Sequence, residues 1–231
     1  MQRFKTLIKN TKGKDYVVGD IHGSYSLLIE HLKKVSFDTQ VDRLIFLGDL
    51  INKGKENEQC LTLLDEPWFH PVIGNHEIMF IEAFLYNDFA MIYEKGSDWF
   101  DHTHLSIGEL VNWATRISNE IPFGMELISE NKRFGFVHAE PLEDWDDVRA
   151  ILDNPWSFDE YFTNKSEKMR DLKRMIWSRN KFNSQNHSQI KNVHQVYVGH
   201  TPNEKVYEFG NVKYIDLGSY KSGNLHIEEI K

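Results

Sequence analysis

Seven residues combine carboxylate, carboxamide and imidazole groups within short glycine-rich motifs: Asp20 and His22 in Gly19-Asp20-Ile21-His22-Gly23, Asp49 in Gly48-Asp49, Asn75 and His76 in Gly74-Asn75-His76-Glu77, His138 in His138-Ala139, and His200 in Gly199-His200-Thr201-Pro202. Each of these side chains can bind a metal or move a proton. The donors are oxygen and imidazole nitrogen without thiolate, a set that suits Mn, Fe or Zn better than a structural zinc site built on cysteine. Asp20 and His22 stand at i and i+2, so on extended chain both point to one side and can reach one ion. Neighbouring glycines allow close backbone approach. Lys53, followed by Gly54, adds a cation to the turn after Asp49, and acid and base together suggest a metal with an anionic ligand.

Each motif follows an apolar run. Residues 15–18 read as a buried strand, and after a loop Ser24 caps a helix with Leu28, Leu32 and Val35 on its inner side. Residues 43–47 repeat the strand, 48–55 the loop, and 56–64 a helix that buries Cys60, Leu61 and Leu64. A third unit starts at His70 and predicts a largely buried helix over 78–93. Three strand-loop-helix units imply parallel strands, whose carboxyl ends gather ligands from distant parts of a chain. A capping box at Ser106-Ile107-Gly108-Glu109 opens a helix to about residue 119; residues 125–129 and 133–137 predict a hairpin ending at His138, and 195–198 a strand ending at His200. Residues 140–194 are polar and aromatic and are expected to fold over the site as a lid, with 140–147 as a solvated acidic face. Residues 205–230 predict a closing antiparallel meander with a turn at Gly210-Asn211.

The 231 residues suffice for one large domain, 1–231, and no apolar run reaches the roughly 20 residues of a membrane span. A net charge of −8 without a basic patch argues against nucleic acid as partner. The N-terminal residues lack a secretory apolar region and Cys60 is the only cysteine, so a cytoplasmic location is expected. The sequence leaves the oligomeric state open.

The ordered motifs resemble those of the calcineurin-like metallophosphoesterases, and within them the small bacterial and bacteriophage lambda type serine/threonine protein phosphatases. Ile176-Trp177-Ser178-Arg179 and Tyr214-Ile215-Asp216-Leu217-Gly218 extend the resemblance over nearly the whole chain, while residues 140–170 match least. The resemblance implies a mixed α/β fold of two mixed β-sheets packed face to face and flanked by helices. It implies two divalent metal ions, with Mn2+ the first expectation and Fe or Zn the alternatives. Asp20, His22 and Asp49 would hold the first ion, and Asp49, Asn75, His138 and His200 the second. A hydroxide shared by the metals would attack phosphorus in line. His76 would act as general acid and Arg179 would grip the phosphate. The substrate would be a phosphoprotein, at phosphoserine, phosphothreonine or phosphotyrosine, or a small phosphate ester.

Two positions depart from the family's Gly-Asp-x-x-Asp-Arg-Gly: Asn52 and Lys53 stand where it has aspartate and arginine. Asparagine is expected to orient His76 through its carbonyl oxygen without supplying negative charge, which lowers the His76 pKa relative to relatives with aspartate. Lysine keeps the charge and loses the planar fork, shifting phosphate grip onto Arg179. Because dinucleoside polyphosphate hydrolases share the metal motifs and lack the dyad aspartate, hydrolysis of diadenosine tetraphosphate is the alternative activity. A weakly active module that binds metal and phosphate is the third reading.

Overall fold

The computed structural model describes residues 3–231. Its strands are β1 (Phe4–Ile8), β2 (Asp15–Val18), β3 (Arg43–Phe46), β4 (Phe69–Pro71), β5 (Gly124–Ser129), β6 (Lys132–Val137), β7 (Gln195–Val198), β8 (Tyr207–Phe209), β9 (Val212–Tyr214) and β10 (Ile227–Glu229). The helices are α1 (Tyr25–Lys34), α2 (Asn57–Thr62), α3 (Asn75–Tyr86), α4 (Ala90–Glu94), α5 (Ile107–Glu120), α6 (Trp145–Asp153), α7 (Phe158–Thr163), α8 (Glu167–Trp177), α9 (Asn180–Asn183) and α10 (Ser219–Ser222). No helix among the described residues is long and apolar enough to cross a membrane.

The strands form two mixed sheets, a six-stranded one in the order β1-β5-β6-β7-β9-β8 and a four-stranded one in the order β10-β2-β3-β4. Their inner faces meet. Val17 and Ile45 from the smaller sheet share one buried cluster with Met125, Leu127, Phe136 and Tyr197 from the larger. The alternate residues Tyr16, Val18, Leu44 and Phe46 turn outward, where Leu28 and Leu32 of α1 are among the side chains that cover them. Covered on both faces, β2 and β3 read in sequence as continuous apolar runs.

Parallel pairing sets the direction of the site. Strands β2, β3 and β4 run parallel to one another, as do β6, β7 and β9. Six carboxyl ends, three from each sheet, therefore face the same edge of the sandwich.

Several expectations are corrected. The predicted closing meander holds only as the β8–β9 hairpin around Gly210-Asn211; the chain then crosses to the other sheet, where β10 pairs antiparallel with β2. The helix predicted over 78–93 starts earlier, at Asn75, and breaks at Asn87, whose left-handed φ of 57° caps α3 before the separate α4. Strand β1, paired parallel with β5, lies in an N-terminal stretch for which no strand was anticipated. Within 140–194, Trp145 is fully buried beside Phe4, and Trp156 and Tyr161 pack on Phe123, while Trp177 and Arg179 reach His200. Glu140 is not part of a solvated face but buried.

Candidate active site

A small cleft of about 60 Å3 at the shared edge is lined by His22, Asp49, Lys53, Asn75, His76, Arg179, His200 and Asp216, among others. Asp20 and His138 lie just beneath it, fully buried. All ten residues singled out from the sequence thus converge, Asn52 reaching the cleft through its contact with His76.

Close packing forces unusual backbone here. His22, Asp49, Asn52, Lys53 and His200 all have positive φ, between 44° and 77°. Glu77 holds one of these turns: its buried carboxylate accepts the backbone N–H groups of Asp49, Leu50 and Gly74 at 2.8–2.9 Å. Burial pushes Glu77 up to about 7. Gly74 is required because a Cβ there would collide with the Asp49 carboxylate and backbone nitrogen.

Hydrogen bonds on the far side of each imidazole decide what it offers the cleft. The Nδ1–H of His138 donates to the Leu47 carbonyl at 2.7 Å, that of His22 to Ile51 at 3.2 Å, and the Nε2–H of His200 to Trp177 at 3.1 Å. The opposite nitrogen of each ring is left as a lone pair facing inward. His138 Nε2 and His200 Nδ1 stand 3.2 Å apart, and each lies within 2.9 Å of Asn75 Oδ1. Three acceptors meet with no hydrogen between them. That arrangement is repulsive without a cation, and edges of about 3 Å are those of a coordination shell with bonds of about 2.1 Å. Asp49 faces this group through Oδ1, 3.4 Å from His138 Nε2, and His22 Nε2 through Oδ2, also at 3.4 Å. Asp20 Oδ2 lies 3.9 Å from the same His22 nitrogen. The donor set fits divalent metal on both sides of Asp49.

Electrostatics agrees with geometry. Burial first, then the repulsion of Asp216 and Asp49, raises Asp20 well above the usual carboxylate range, and burial likewise raises Asp49 and Asp216. Burial lowers His138 to about 4 and His200 to about 2, leaving neutral imidazoles that could serve a metal. Positive charge placed among these groups relieves the carboxylates.

His76 behaves differently. Its Nε2 is 4.0 Å from Asp49 Oδ2, near enough to resemble a ligand, yet its Nδ1 meets the amide nitrogen of Asn52 at 2.9 Å. The expected contact through the Asn52 carbonyl oxygen is not formed, because that oxygen already accepts the Trp99 indole N–H at 2.7 Å. An amide nitrogen only donates, so His76 Nδ1 accepts and its hydrogen sits on Nε2. His76 therefore presents a donor to the cleft where the other three imidazoles present lone pairs.

Two cations complete the rim. Lys53 Nζ is 3.5 Å from His22 Nε2 and 5.1 Å from the Tyr220 ring centre. Arg179 donates Nη2–H to the His200 carbonyl at 2.8 Å. Its segment is tied down by Glu140, which accepts from the Ser178 hydroxyl at 2.6 Å and from the backbone N–H groups of Lys181 and Phe182. Sequence reasoning passed over Asp216, delivered by β9, because the meander expectation sent that strand elsewhere. The signal was present: Tyr214-Ile215-Asp216 repeats the apolar-run-then-carboxylate pattern of Phe46-Leu47-Gly48-Asp49.

The chain was compared with known proteins. Residues 16–221 match the family model described as calcineurin-like phosphoesterase. A relative, serine/threonine-protein phosphatase 2 of Salmonella typhimurium, is 33% identical over 219 residues, covering 94% of this chain and 92% of the relative. The symmetrical bis(5'-nucleosyl)-tetraphosphatase of Actinobacillus succinogenes is 30% identical, but over 58% of this chain and 47% of its own length. Among solved structures, a serine/threonine phosphatase from Saccharomyces cerevisiae superposes with a TM-score of 0.64 at 15% identity, covering 100% of this chain and 84% of that one.

Proposed function

Because the chain belongs to the calcineurin-like phosphoesterase family, we propose that it is a metal-dependent phosphoprotein phosphatase that hydrolyses phosphoserine and phosphothreonine monoesters at a dinuclear centre. Phosphotyrosine is a further substrate in this reading. The observation that carries it is the meeting of three lone pairs, on Asn75, His138 and His200, beside Asp49 and beneath Lys53 and Arg179.

Asp20, His22 and Asp49 would hold one divalent ion, and Asp49, Asn75, His138 and His200 a second, with Mn2+ the first to test. Such ions supply Lewis-acid polarisation of phosphoryl oxygens and acidify water. The chain's own residues do the rest. Lys53 and Arg179 hold the phosphate oxygens, Arg179 with the donors of its fork not used on His200. His76 directs Nε2–H at the leaving oxygen and stabilises the charge that develops there. A cleft of about 60 Å3 admits a phosphoryl group, whereas sites that bury whole small molecules run from about 300 to 1,000 Å3. The leaving group then lies beyond the cleft, in an adjoining open trough of about 630 Å3 lined by Asn203, Tyr207, Leu217 and Tyr220. The trough is open to solvent and can receive a residue carried on a polypeptide. A cytoplasmic setting belongs to the same reading.

The test is purified protein with Mn2+ against a phosphoprotein, p-nitrophenyl phosphate and diadenosine tetraphosphate, each with a metal-free control. Metal-dependent release of phosphate from the phosphoprotein is expected. Rapid cleavage of the dinucleotide alone would replace this reading with the second activity, and two bound metals without turnover would replace it with a binding role.

A further inference from the structure

Trp99 lies outside every motif that identifies the site, 47 residues from Asn52 in the chain, yet its indole N–H is 2.7 Å from Asn52 Oδ1. The indole is held in place. It stacks on Phe80 with ring centres 5.9 Å apart and planes 13° apart, and Phe80 sits one turn beyond His76 on α3. The direction of its N–H is therefore tied to the helix that carries His76. Asn52 is held from its other side, its backbone N–H donating to Asn57 Oδ1 at 2.7 Å, and its side chain is fully buried.

We propose that Trp99 is a positioning residue for the reaction: its indole N–H fixes which way the Asn52 amide faces, and so keeps the single ring hydrogen of His76 on Nε2, pointing into the cleft. An indole N–H has no acceptor capacity and an amide has one end of each kind. The carboxamide oxygen must face Trp99, the NH2 group must face His76 Nδ1, and the ring hydrogen must be on the other nitrogen. Turning the amide over would set the NH2 group against the indole N–H, two donors with no acceptor between them, one of them fully buried. An aspartate at position 52 would abolish the control, since a carboxylate accepts from Trp99 and from a His76 Nδ1–H at once. The asparagine makes the tautomer depend on a remote tryptophan. No element of the mechanism other than the tautomer of His76 requires Trp99.

The consequence for catalysis rests on the phosphatase reading above; the positioning itself does not. Nitrogen-15 NMR of the full, histidine-labelled chain loaded with Zn2+ reads the His76 tautomer directly, and in the unmodified protein Nδ1 is expected bare and Nε2 protonated. Two variants remove the donor: Trp99→Phe, and replacement of Trp99 by benzothienylalanine, which keeps the ring shape and lacks the N–H. Either is expected to give a mixture of the two tautomers, and in an Asn52→Asp background neither is expected to change the tautomer. With Mn2+, the kcat ratio for a phosphoserine peptide over p-nitrophenyl phosphate is expected to fall about fivefold, a small part of what a positioned proton donor contributes. An alkoxide needs the Nε2 hydrogen more than a phenolate does, and KM should move little. A hydrogen found on Nδ1 in the unmodified protein, or a benzothienylalanine variant with unaltered tautomer and unaltered ratio, overturns the proposal. Absence of turnover with the Nε2 hydrogen in place would instead overturn the phosphatase reading and leave the positioning intact.

Discussion

Asn52→Asp should raise the pKa of His76 by about two to three units and make the pH–rate profile for a phosphoserine peptide depend on its imidazolium. Burial, followed by the nearby His22 and Lys53, lowers His76 well below the usual imidazole range. The Asn52 amide opposes protonation further, because its N–H groups already face Nδ1 at 2.9 Å. A carboxylate in that place adds a negative charge about 4 Å from the imidazolium. At an effective dielectric constant of about 20 this is worth roughly 4 kcal/mol, or about three pKa units, less the cost of burying the new charge. The sign follows: negative charge favours the protonated ring, so Asn52→Asp brings an imidazolium into the assay range and its loss adds an alkaline limb, whereas His76 of the unmodified chain stays neutral with its hydrogen on Nε2. Any bound metal acts on both proteins alike, so the difference between variants isolates residue 52. The assay is initial-rate kinetics with Mn2+ at saturating peptide from acid to alkaline pH. The same pH–rate profile in both proteins would refute the coupling of residue 52 to proton donation.

Three further outcomes are expected. Arg179→Ala should raise KM about tenfold or more, the scale of one lost charged hydrogen bond, and an unaltered KM would confine Arg179 to the His200 carbonyl. Glu77→Gln should destabilise the chain by about 3 kcal/mol in urea unfolding and weaken metal binding in calorimetry, since one carboxamide cannot accept from Asp49, Leu50 and Gly74 together; a loss below about 1 kcal/mol would show the turn is held otherwise. Glu228 of β10 reaches across to Tyr197 of β7 and Lys213 of β9, joining the two sheets. Desolvation would raise its pKa, but hydrogen bonds from His226, Lys213 and Tyr197 prevail and hold it at about 2. A depressed carboxylate stabilises fully above the unfolded pKa of about 4.5 and loses that contribution as pH falls toward 2, so Glu228→Gln should cost about 1–2 kcal/mol at pH 7 after solvent screening and almost nothing near pH 2. Denaturation at both pH values checks this.

What the sequence disclosed and what it hid divide along a physical line. Asp20, Asp49 and Asn75 announced themselves because glycine must stand beside them, where backbones pass too closely for a Cβ, and because apolar runs covered on both faces end there. Those are local requirements, written locally. Asp216 stayed hidden because a three-residue strand carries no sign of whether it pairs parallel or antiparallel; only the placing of β8 at the sheet edge, with β9 turned back between it and β7, sets β9 parallel to β7 and its end at the site. Glu140 misled because a buried carboxylate within an acidic stretch looks like its solvated neighbours until its three donors from residues 178–182 are seen. The N-terminal strand was missed because Lys5-Thr6-Leu7-Ile8 at a sheet edge alternates too briefly to register.

The two departures from the family motif have different reach. Lys53 keeps its charge at the cleft and changes only the shape of the grip, a difference confined to one side chain. Asn52 changes the direction of a hydrogen bond, and direction is passed on: Trp99 sets the amide, the amide sets the ring, and the ring decides whether the cleft receives a hydrogen or a lone pair. Reaction at a poor leaving group is the step most exposed to that choice, because an alkoxide departs only with help while a phenolate leaves largely unaided. This chain should therefore fall behind its aspartate-bearing relatives most on phosphoserine and phosphothreonine and least on aryl esters. Asn52→Asp should close the gap on alkyl esters selectively. Equal gains on both ester classes would place the effect of residue 52 in metal or phosphate binding instead of leaving-group stabilisation.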